Sequence, residues 1–370
     1  MKNPLDKGVY LERTSRRDVD VRGEYFRDQT AIIHSMPFRR LKHKTQVFFS
    51  PDNDHICTRI EHVLHVATIA ATICKGLISY GWDLDIEMAY AIGLGHDLGH
   101  APFGHAGEEV LAKKLGDEKA FMHELNSYRV VEHLANDGRG LDLTYGVKDG
   151  IICHNGEKSE LILKPVSIKN DLENISDRSC MPSSYEGCIV RFSDKIAYLG
   201  RDIEDAILAK LVSMEDVPQK VAKELGNTNG QIINSLVIDM IENSHDKDSI
   251  CFSDEKYEVF DALRNFNYKY IYKNEKMEEY KVYCYKIVLE IFEYLEELYK
   301  NLGNDYNAYK TRDKKLDKAF GSFIESMDTF YINEKDKPAQ IVTDYVSGMT
   351  DSFALDCMKQ ITIPSPIDFF

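Results

Sequence analysis

Apolar residues recur along most of the chain with the period of an α-helix. The longest regular run covers residues 57–80, where apolar side chains lie three and four residues apart, as on one face of a helix. Similar runs cover 31–47, 86–98, 107–115, 121–134, 147–153, 185–211, 231–243, 254–272 and 278–301, with two weaker segments after 315. Strand-like alternation of every second residue is nearly absent. The pattern predicts an all-α protein.

Two local signals refine the helix boundaries. Pro102 and Gly104 interrupt the helical pattern, so we expect a new helix to begin near His105. Ser183 and Glu186 have the spacing of a capping box, in which each side chain bonds a free backbone N–H at a helix start. This pair predicts the beginning of a long helix that carries several charged residues.

Composition favours a large folded core. The chain has 370 residues, of which 43% are hydrophobic. We find no uninterrupted apolar run of the roughly 18 residues that a membrane span needs, and the first residues lack the apolar core of a signal peptide. We therefore expect a cytoplasmic protein without a membrane partner, whose eight scattered cysteines are free thiols.

The charge distribution bears on the choice of ligand. A formal net charge of −15 disfavours general binding to nucleic acid, because phosphate neutralisation needs clustered cations. Basic residues do gather between Arg39 and Lys44, which favours a small anionic ligand in one positive pocket. Binding of single-stranded nucleic acid by this cluster, as a regulator, stays an alternative.

A dense group of chemically active side chains lies between residues 92 and 109. His96 and Asp97 close an apolar helical run, where desolvating them is costly unless they bind something. His62 on the helix at 57–80 and Asp194 on the helix at 185–211 are further polar residues among apolar neighbours. Two imidazoles and two carboxylates suit a divalent ion such as Mn, Fe, Co, Ni, Zn or Mg. Each histidine taken singly is also compatible with a structural role in the core.

Six ordered blocks carry a resemblance to a known family. They are FRRLKHKTQVF (38–48), TRIEHVLHVATIA (58–70), GHDLGHAPFGHAGE (95–108), FMHELNSYRVVEHL (121–134), LDLTYGVKDGIICHNGE (141–157) and SYEGCIVRFSDKIAYLGRDIEDAI (184–207). The chain resembles the deoxyguanosinetriphosphate triphosphohydrolase family of HD-domain proteins. The resemblance implies an HD-domain helical bundle with a C-terminal helical extension, which we place at residues 1–230 and 231–370.

The resemblance assigns roles to the polar residues. The metal ligands are implied to be His62, His96, Asp97 and Asp194. His105 and Glu108 match the catalytic His-x-x-Glu pair, and their spacing independently places both on one face of a helix. A carboxylate beside an imidazole fixes its tautomer, which suits a proton donor to the leaving 5′-oxygen or, alternatively, a nucleophile. The alternative for the same pair is a structural role, in which it caps the start of the helix and takes no part in catalysis.

Substrate contacts are also implied. Phosphate contacts fall on Arg59, His100, His123 and Lys195, sugar contacts on Gln46, Tyr198 and Asp202, and γ-phosphate and base contacts on Arg264 and Tyr272. The spacing of Asp194, Tyr198 and Asp202 independently gives one polar stripe on an otherwise apolar helix, as expected beside a wet cavity. The aromatic segment around Arg264 is equally compatible with a place in the core.

The expected function is a metal-dependent dNTP triphosphohydrolase that releases a deoxynucleoside and tripolyphosphate. Alternatives are an HD phosphohydrolase acting on another nucleotide phosphoester, and a nucleotide-binding regulatory protein without turnover. The resemblance further implies a homo-oligomer, either a hexamer or an assembly of dimers. Departures from the family pattern at His65, Cys188 and the HELN segment at 123–126 leave the preferred base open.

Overall fold

The structure is a computed structural model that describes residues 1–15, 17–48, 55–117, 119–155, 159–334 and 337–364. The predicted all-α class is confirmed. The helices of the N-terminal half are α1 (Lys7–Tyr10), α2 (Glu24–His34), α3 (Met36–Arg40), α4 (Arg59–Ser79), α5 (Ile86–Gly95), α6 (His105–Lys114), α7 (His123–Arg129), α8 (Ala135–Gly138), α9 (Tyr145–Ile152) and α10 (Tyr185–Leu208). Those of the C-terminal half are α11 (Gln219–Leu225), α12 (Asn229–Ser244), α13 (Asp254–Asn267), α14 (Glu275–Leu302), α15 (Tyr306–Lys310), α16 (Lys315–Ser326), α17 (Asp328–Glu334), α18 (Pro338–Ser347) and α19 (Asp351–Thr362).

Short irregular elements connect these helices. Single 3-10 turns lie at Leu41–His43, Leu172–Asn174 and Met214–Asp216, and wider π-type turns extend α7 and α13 at Val130–Leu134 and Tyr268–Tyr272. Two short strands, β1 (Ile162–Leu163) and β2 (Ile250–Cys251), pair antiparallel, with Ile162 opposite Cys251 and Leu163 opposite Ile250. This ribbon ties the loop before α10 to the segment after α12.

One expected helix start, at residue 31, and one expected capping box were wrong, although α10 begins at Tyr185 as predicted. The run at 31–47 is divided at Ser35, whose hydroxyl accepts a hydrogen bond from Phe38 N and caps α3, so α2 begins and ends earlier. At α10 the capping residue is Ser184, whose hydroxyl accepts from Gly187 N. Ser183 instead hydrogen-bonds Asp149, 34 residues earlier along the chain. Long-range partners thus took the place of the expected capping box.

Buried apolar side chains form two clusters. The first core cluster draws on residues 10–98 and 128–271 and is built around α4, α5 and α10. The second core cluster joins residues 101–121 to residues 284–357, so that α6 packs against α14 and α18 of the C-terminal part. The predicted domain boundary at residue 230 stays a prediction, and α12 and α13 lie on the first core cluster.

One described helix, α4, is long and apolar enough to cross a membrane by length and composition alone. Half of its most apolar window is buried inside the fold. The core helix of a soluble protein passes the same test, so the feature is weak evidence for a membrane span. In this fold α4 packs on α5 and α10 and directs polar side chains inwards at its first turns.

Candidate active site

Four buried side chains from three segments meet at one point. His62 comes from the second turn of α4, His96 and Asp97 follow α5, and Asp194 lies in the middle of α10. His62 Nε2 lies 3.0 Å from Asp194 Oδ1 and 4.0 Å from Asp97 Oδ2, while His96 Nε2 lies 3.7 Å from Asp97 Oδ1. Donor atoms bound to one cation at about 2.1 Å lie roughly 3 to 3.5 Å apart. The His62–Asp194 pair has this spacing, and His62, His96 and Asp194 offer donor atoms close enough together to hold one divalent ion. Asp97 lies 3.7 to 4.0 Å from the two histidines and also groups with His100 and His123.

A hydrogen bond directs the lone pair of one histidine, His96, to that centre. His96 Nδ1 is 2.8 Å from the Gly93 carbonyl oxygen, so Nδ1 carries the proton and Nε2 is left as an acceptor. His96 is completely buried, and its Nε2 has no hydrogen-bond partner among the described residues. An unpartnered buried nitrogen is costly unless a ligand occupies it. The residues present thus fit a metal ion.

The charge states match the same interpretation. Burial lowers the pKa of His96, which keeps the imidazole neutral. Burial favours the neutral acid at Asp97, yet His100 and Arg59 hold its pKa well below the usual range. Asp194 behaves similarly, since His62 outweighs burial and lowers the pKa of its carboxyl. Neutral imidazoles and ionised carboxylates are the forms that coordinate a cation.

Cationic side chains border the centre. Arg59 Nη1 lies 2.6 Å from Asp97 Oδ2, and Arg59 Nε has no hydrogen-bond partner among the described residues. Lys195 is buried, its Nζ likewise lacks a hydrogen bond there, and Glu160 Oε2 lies 3.7 Å away. Burial and the neighbouring Arg191 lower the pKa of Lys195 to about 8. Buried donors without hydrogen-bond partners cost free energy, and a bound anion would offset that cost.

The His105–Glu108 pair lies at the first turn of α6. His105 Nδ1 is 3.1 Å from Glu108 Oε2, and the imidazole is 67% exposed while the carboxylate is buried. Glu108 also accepts a hydrogen bond from His123 N at 2.9 Å. Burial opposes its ionisation, but His123 and His105 hold the pKa of Glu108 well below its usual range. The pair therefore presents an oriented imidazole at an open position.

A second layer of charge surrounds Glu108. His123 stacks on His100 with ring centroids 4.1 Å apart. Although burial opposes its charge, Glu124 and Glu108 raise the pKa of His123 to about 9. Arg178 binds Glu124 through Nε at 2.8 Å and reaches Glu108 Oε1 at 3.2 Å. The result is a connected row of charges beside a cavity of about 340 Å³ that His105, Glu108 and Arg178 line.

Sequence reasoning missed Glu124, Arg178 and His154. Glu124 follows His123 directly, so its place on α7 was a usable signal. Arg178 lies on the polar loop before α10, where nothing periodic indicates a direction. His154 is completely buried beside His96, with ring centroids 4.9 Å apart, and its Nε2 has no hydrogen-bond partner among the described residues. These contacts come from tertiary packing, which the sequence pattern does not encode.

The predicted sugar and base residues are brought together only in part. Tyr272 donates a hydrogen bond to the buried Asp202 carboxylate, and burial raises the pKa of Asp202 to about 7. Tyr198 is half-buried on the same helix as Asp202, and Gln46 Oε1 is buried without a hydrogen-bond partner among the described residues. Arg264 turns to Asp261 on its own helix, with Nη2 2.8 Å from Oδ1.

Comparison with known proteins bears on this site. The model of the HD domain matches residues 59–199, and that of the phosphohydrolase-associated domain matches residues 250–360. A deoxyguanosinetriphosphate triphosphohydrolase-like protein of Caldanaerobacter subterraneus subsp. tengcongensis is 40% identical over 94% of this chain and 87% of its own length. Proteins with the same description from Desulfatibacillum aliphaticivorans and Clostridium perfringens are 36% and 34% identical, over 94% and 97% of this chain and 90% and 92% of their own lengths.

The chain belongs to the deoxyguanosinetriphosphate triphosphohydrolase-like family. As a member of this family with an HD domain, it is a metal-dependent phosphohydrolase. The HD match begins at Arg59 and ends five residues after Asp194, so it includes all four side chains of the candidate metal-binding cluster, which are His62, His96, Asp97 and Asp194. The predicted recognition is thereby confirmed.

Proposed function

We propose that the protein hydrolyses deoxynucleoside triphosphates to a deoxynucleoside and tripolyphosphate. The observation that carries the proposal is that two buried cationic side chains beside the candidate metal-binding cluster, Arg59 and Lys195, each keep a donor atom without a hydrogen-bond partner among the described residues, namely Arg59 Nε and Lys195 Nζ. An anion with several charges would satisfy both at once, whereas one phosphate group needs fewer donors. His105 stands beyond them with its ring exposed.

The proposed metal ligands are His62, His96, Asp97 and Asp194. A divalent cation held there would withdraw charge from the α-phosphate and lower the pKa of a water molecule. Arg59 forms an ion pair with Asp97 and so keeps that carboxylate ionised and oriented. We propose Mn, Fe, Co, Ni, Zn or Mg as the ion, because the mixed nitrogen and oxygen donors suit this group.

Phosphate positioning falls to four donors, which are Arg59, His100, His123 and Lys195. The stacked rings of His100 and His123 keep both imidazoles in one orientation beside Asp97. Burial and the nearby Arg59 hold the pKa of His100 well below its usual range, and its ring keeps an N–H that can donate a hydrogen bond to phosphate in either charge state. Holding the phosphate chain in line with the attacking water would lower the entropic part of the barrier.

Proton transfer is assigned to His105. Glu108 accepts a hydrogen bond from Nδ1–H and favours the imidazolium form of His105, in which Nε2–H donates its proton to the leaving 5′-oxygen. Glu108 stays ionised because His123 and His105 lower its pKa against the effect of burial. The water oxygen joins the α-phosphorus and gives up a proton to solvent, the bond between the α-phosphorus and the 5′-oxygen breaks, and the proton from His105 completes the deoxynucleoside beside the tripolyphosphate.

Sugar selection is assigned to Tyr198, Asp202 and Gln46, with Tyr272 and Arg264 as further substrate contacts. The half-buried ring of Tyr198 lies one helical turn beyond Asp194 on α10, where it would stack under the deoxyribose. Asp202 lies one turn further and is bonded by Tyr272. In this arrangement a 2′-hydroxyl would meet the Tyr198 ring, which favours deoxyribonucleotides over ribonucleotides.

Product analysis tests the proposal directly. Purified protein would be incubated with Mn²⁺ or Mg²⁺ and each dNTP, singly and in mixture, and the products separated by chromatography. Deoxynucleoside plus tripolyphosphate as products would support the proposal. Turnover only in mixtures would mean that one nucleotide activates the hydrolysis of another. Monophosphate plus pyrophosphate would mean cleavage at another bond. Binding of dNTP without turnover under every metal would favour a regulatory protein.

Three expectations accompany the proposal. A homo-oligomer, as a hexamer or an assembly of dimers, stays a prediction, as does a cytoplasmic location. Nucleic acid is proposed only as a regulator that would bind the basic residues Arg39–Lys44. Retention of single-stranded DNA at moderate salt would support that role. If the DNA is not retained, the basic residues would be expected to bind small anions only.

A further inference from the structure

The loop between the metal ligands and the proton donor has an unusual backbone. Residues 98–104 connect Asp97 to His105, and both Phe103 and Gly104 have φ of +59°. A bulky residue such as phenylalanine rarely adopts this left-handed conformation. Such a backbone persists where the surrounding structure fixes it. The contacts that fix this loop therefore bear on the geometry of the site.

Asp351 makes one of these contacts from the far end of the chain. It is the first residue of α19 and is 2% exposed. Its Oδ1 accepts a hydrogen bond from Phe103 N at 2.9 Å, across 248 residues of sequence. Its Oδ2 accepts from Thr45 N, also at 2.9 Å. Both carboxylate oxygens are thus used to hold backbone, and one of them holds the residue with positive φ.

Lys44 makes a parallel set of contacts. Its buried Nζ donates to the carbonyl oxygen of His100 and, at 2.8 Å, to that of Ser347. Its own carbonyl oxygen accepts from Arg59 N at 3.1 Å. One side chain and its peptide group therefore connect the loop, the first turn of α4 and the C-terminal region. Since a lysine ammonium is a strongly hydrated charge, its full burial on two carbonyl groups is a specific arrangement.

We propose that Asp351 and Lys44 are positioning residues for hydrolysis. Through the backbone of Phe103 and His100 they hold the loop so that His100 and His105 face the substrate from fixed directions. Among the described residues, both side chains direct their hydrogen bonds to backbone atoms and not to a proposed metal ligand, so we expect metal to bind without them. The C-terminal region is then a working part of the active site. This inference rests on the proposed function, because the direction of His105 matters only if it donates a proton.

The physical reason for a large effect is the strictness of reacting geometry. A displacement of about 1 Å at a group that orients the substrate can cost about 100-fold in rate. Loss of the Phe103 bond would free the two positive-φ residues that immediately precede His105. The imidazole would then sample several directions, while the metal ligands on α4 and α10 would stay in place. We therefore expect the rate of hydrolysis to fall while the metal content stays unchanged.

The test uses the full chain with Asp351→Asn and Asp351→Ala. Asp356→Asn is the matched control, because Asp356 lies on the same helix with a side chain that is 67% exposed and 3.6 Å from Lys359. We expect kcat to fall by about 10-fold or more in the Asn variant and further in the Ala variant, with a smaller change in KM and unchanged metal content. Hydrogen exchange at residues 98–104 should accelerate in both, and the control should match the wild type.

Two results would overturn the inference. One is a wild-type kcat in a variant whose loop exchanges faster, and the other is loss of metal together with activity. If the Asp351 variants do not fold, Lys44→Met decides by the same measurements, with a lower kcat at full metal content supporting the proposal and an unchanged kcat refuting it. If the wild type hydrolyses no dNTP, the proposed function fails by itself. The exchange measurement and rates on bis(p-nitrophenyl) phosphate would still test the loop.

Discussion

His62 Nε2 lies 3.0 Å from Asp194 Oδ1, although 132 residues separate the two along the chain. The contact brings α4 and α10 together at the point where both present polar side chains within an apolar interface. Asp97 and His96 complete the cluster from a third direction. A cation shared by all four would neutralise the two carboxylates and explain why they are buried together.

Removing one carboxylate from this cluster should release the metal. In Asp194→Ala we expect stoichiometric metal to be lost, because three donors hold a divalent ion less tightly than four. Elemental analysis of the purified protein measures this. Asp202→Asn is the matched control, since Asp202 lies two turns along the same helix and is also buried. Full metal content in Asp194→Ala would remove this residue from the ligand set.

Replacing His105 should separate catalysis from metal binding. His105→Gln removes the ionisable ring at Glu108 but leaves the four-residue cluster intact. We expect full metal content and a fall in kcat of about 100-fold to 10,000-fold, the range typical for loss of a general acid. His34→Gln, at an exposed position on α2, is the control. A kcat within twofold of the wild type would exclude proton transfer by His105.

Truncating Tyr198 should weaken discrimination between sugars. In Tyr198→Ala the ring that would exclude a 2′-hydroxyl is gone, so the ratio of kcat/KM for dGTP over GTP should fall. Competition between the two nucleotides in one reaction measures this ratio. Tyr268→Ala is a control with an aromatic side chain 57% exposed on the turn after α13. An unchanged ratio in Tyr198→Ala would place sugar selection elsewhere.

Glu186 should make the protein less stable as the pH rises. Its carboxylate is buried and accepts hydrogen bonds from Asp85 N and Asn3, and burial raises its pKa to about 7 from 4.5. A raised folded-state pKa means that stability is fully present below the unfolded value and is lost as pH rises through 7. The difference corresponds to about 3 kcal/mol.

Glu186→Gln tests this pH dependence. The free energy of unfolding in urea would be compared at pH 5 and pH 8 for both proteins. We expect the variant to lose less stability than the wild type between these pH values, because an amide does not ionise. Equal losses in the two proteins would mean that another group carries the dependence. Asp202, whose pKa burial also raises to about 7, is the first alternative.

Local sequence predicted much of the helical content but not every boundary. The run at 57–80 was placed within two residues, because apolar periodicity and the Thr58–Glu61 capping box act locally. The run at 121–134 begins two residues later as α7 and ends in a π-type turn, which the same periodicity does not distinguish from a helix. A predicted capping interaction is wrong where a distant residue binds the capping group, as Asp149 does at Ser183, although α10 still begins at the predicted residue 185.

The candidate site divides in a similar way. The proximity of His62, His96, Asp97 and Asp194 was predictable, because each is a polar residue beside an apolar helical pattern that a known family shares, and their role as metal ligands stays a prediction. Arg178 and Asp351 were not predictable, since one lies on a loop without periodicity and the other is an ordinary helix-start aspartate. Contacts with residues more than 50 positions away along the chain fix both side chains, as the ion pairs of Arg178 with Glu108 and Glu124 illustrate.

The two core clusters support different parts of the candidate site. The proposed metal ligands lie on elements of the first core cluster, whereas α6, which carries His105 and Glu108, packs its apolar face on the second core cluster. Selection can therefore act on the two separately. Substitutions in the C-terminal helices that shift α6 slightly would adjust the speed of the enzyme while leaving its demand for metal untouched. Relatives that work at different temperatures could diverge in those helices without rebuilding the cluster that binds the ion.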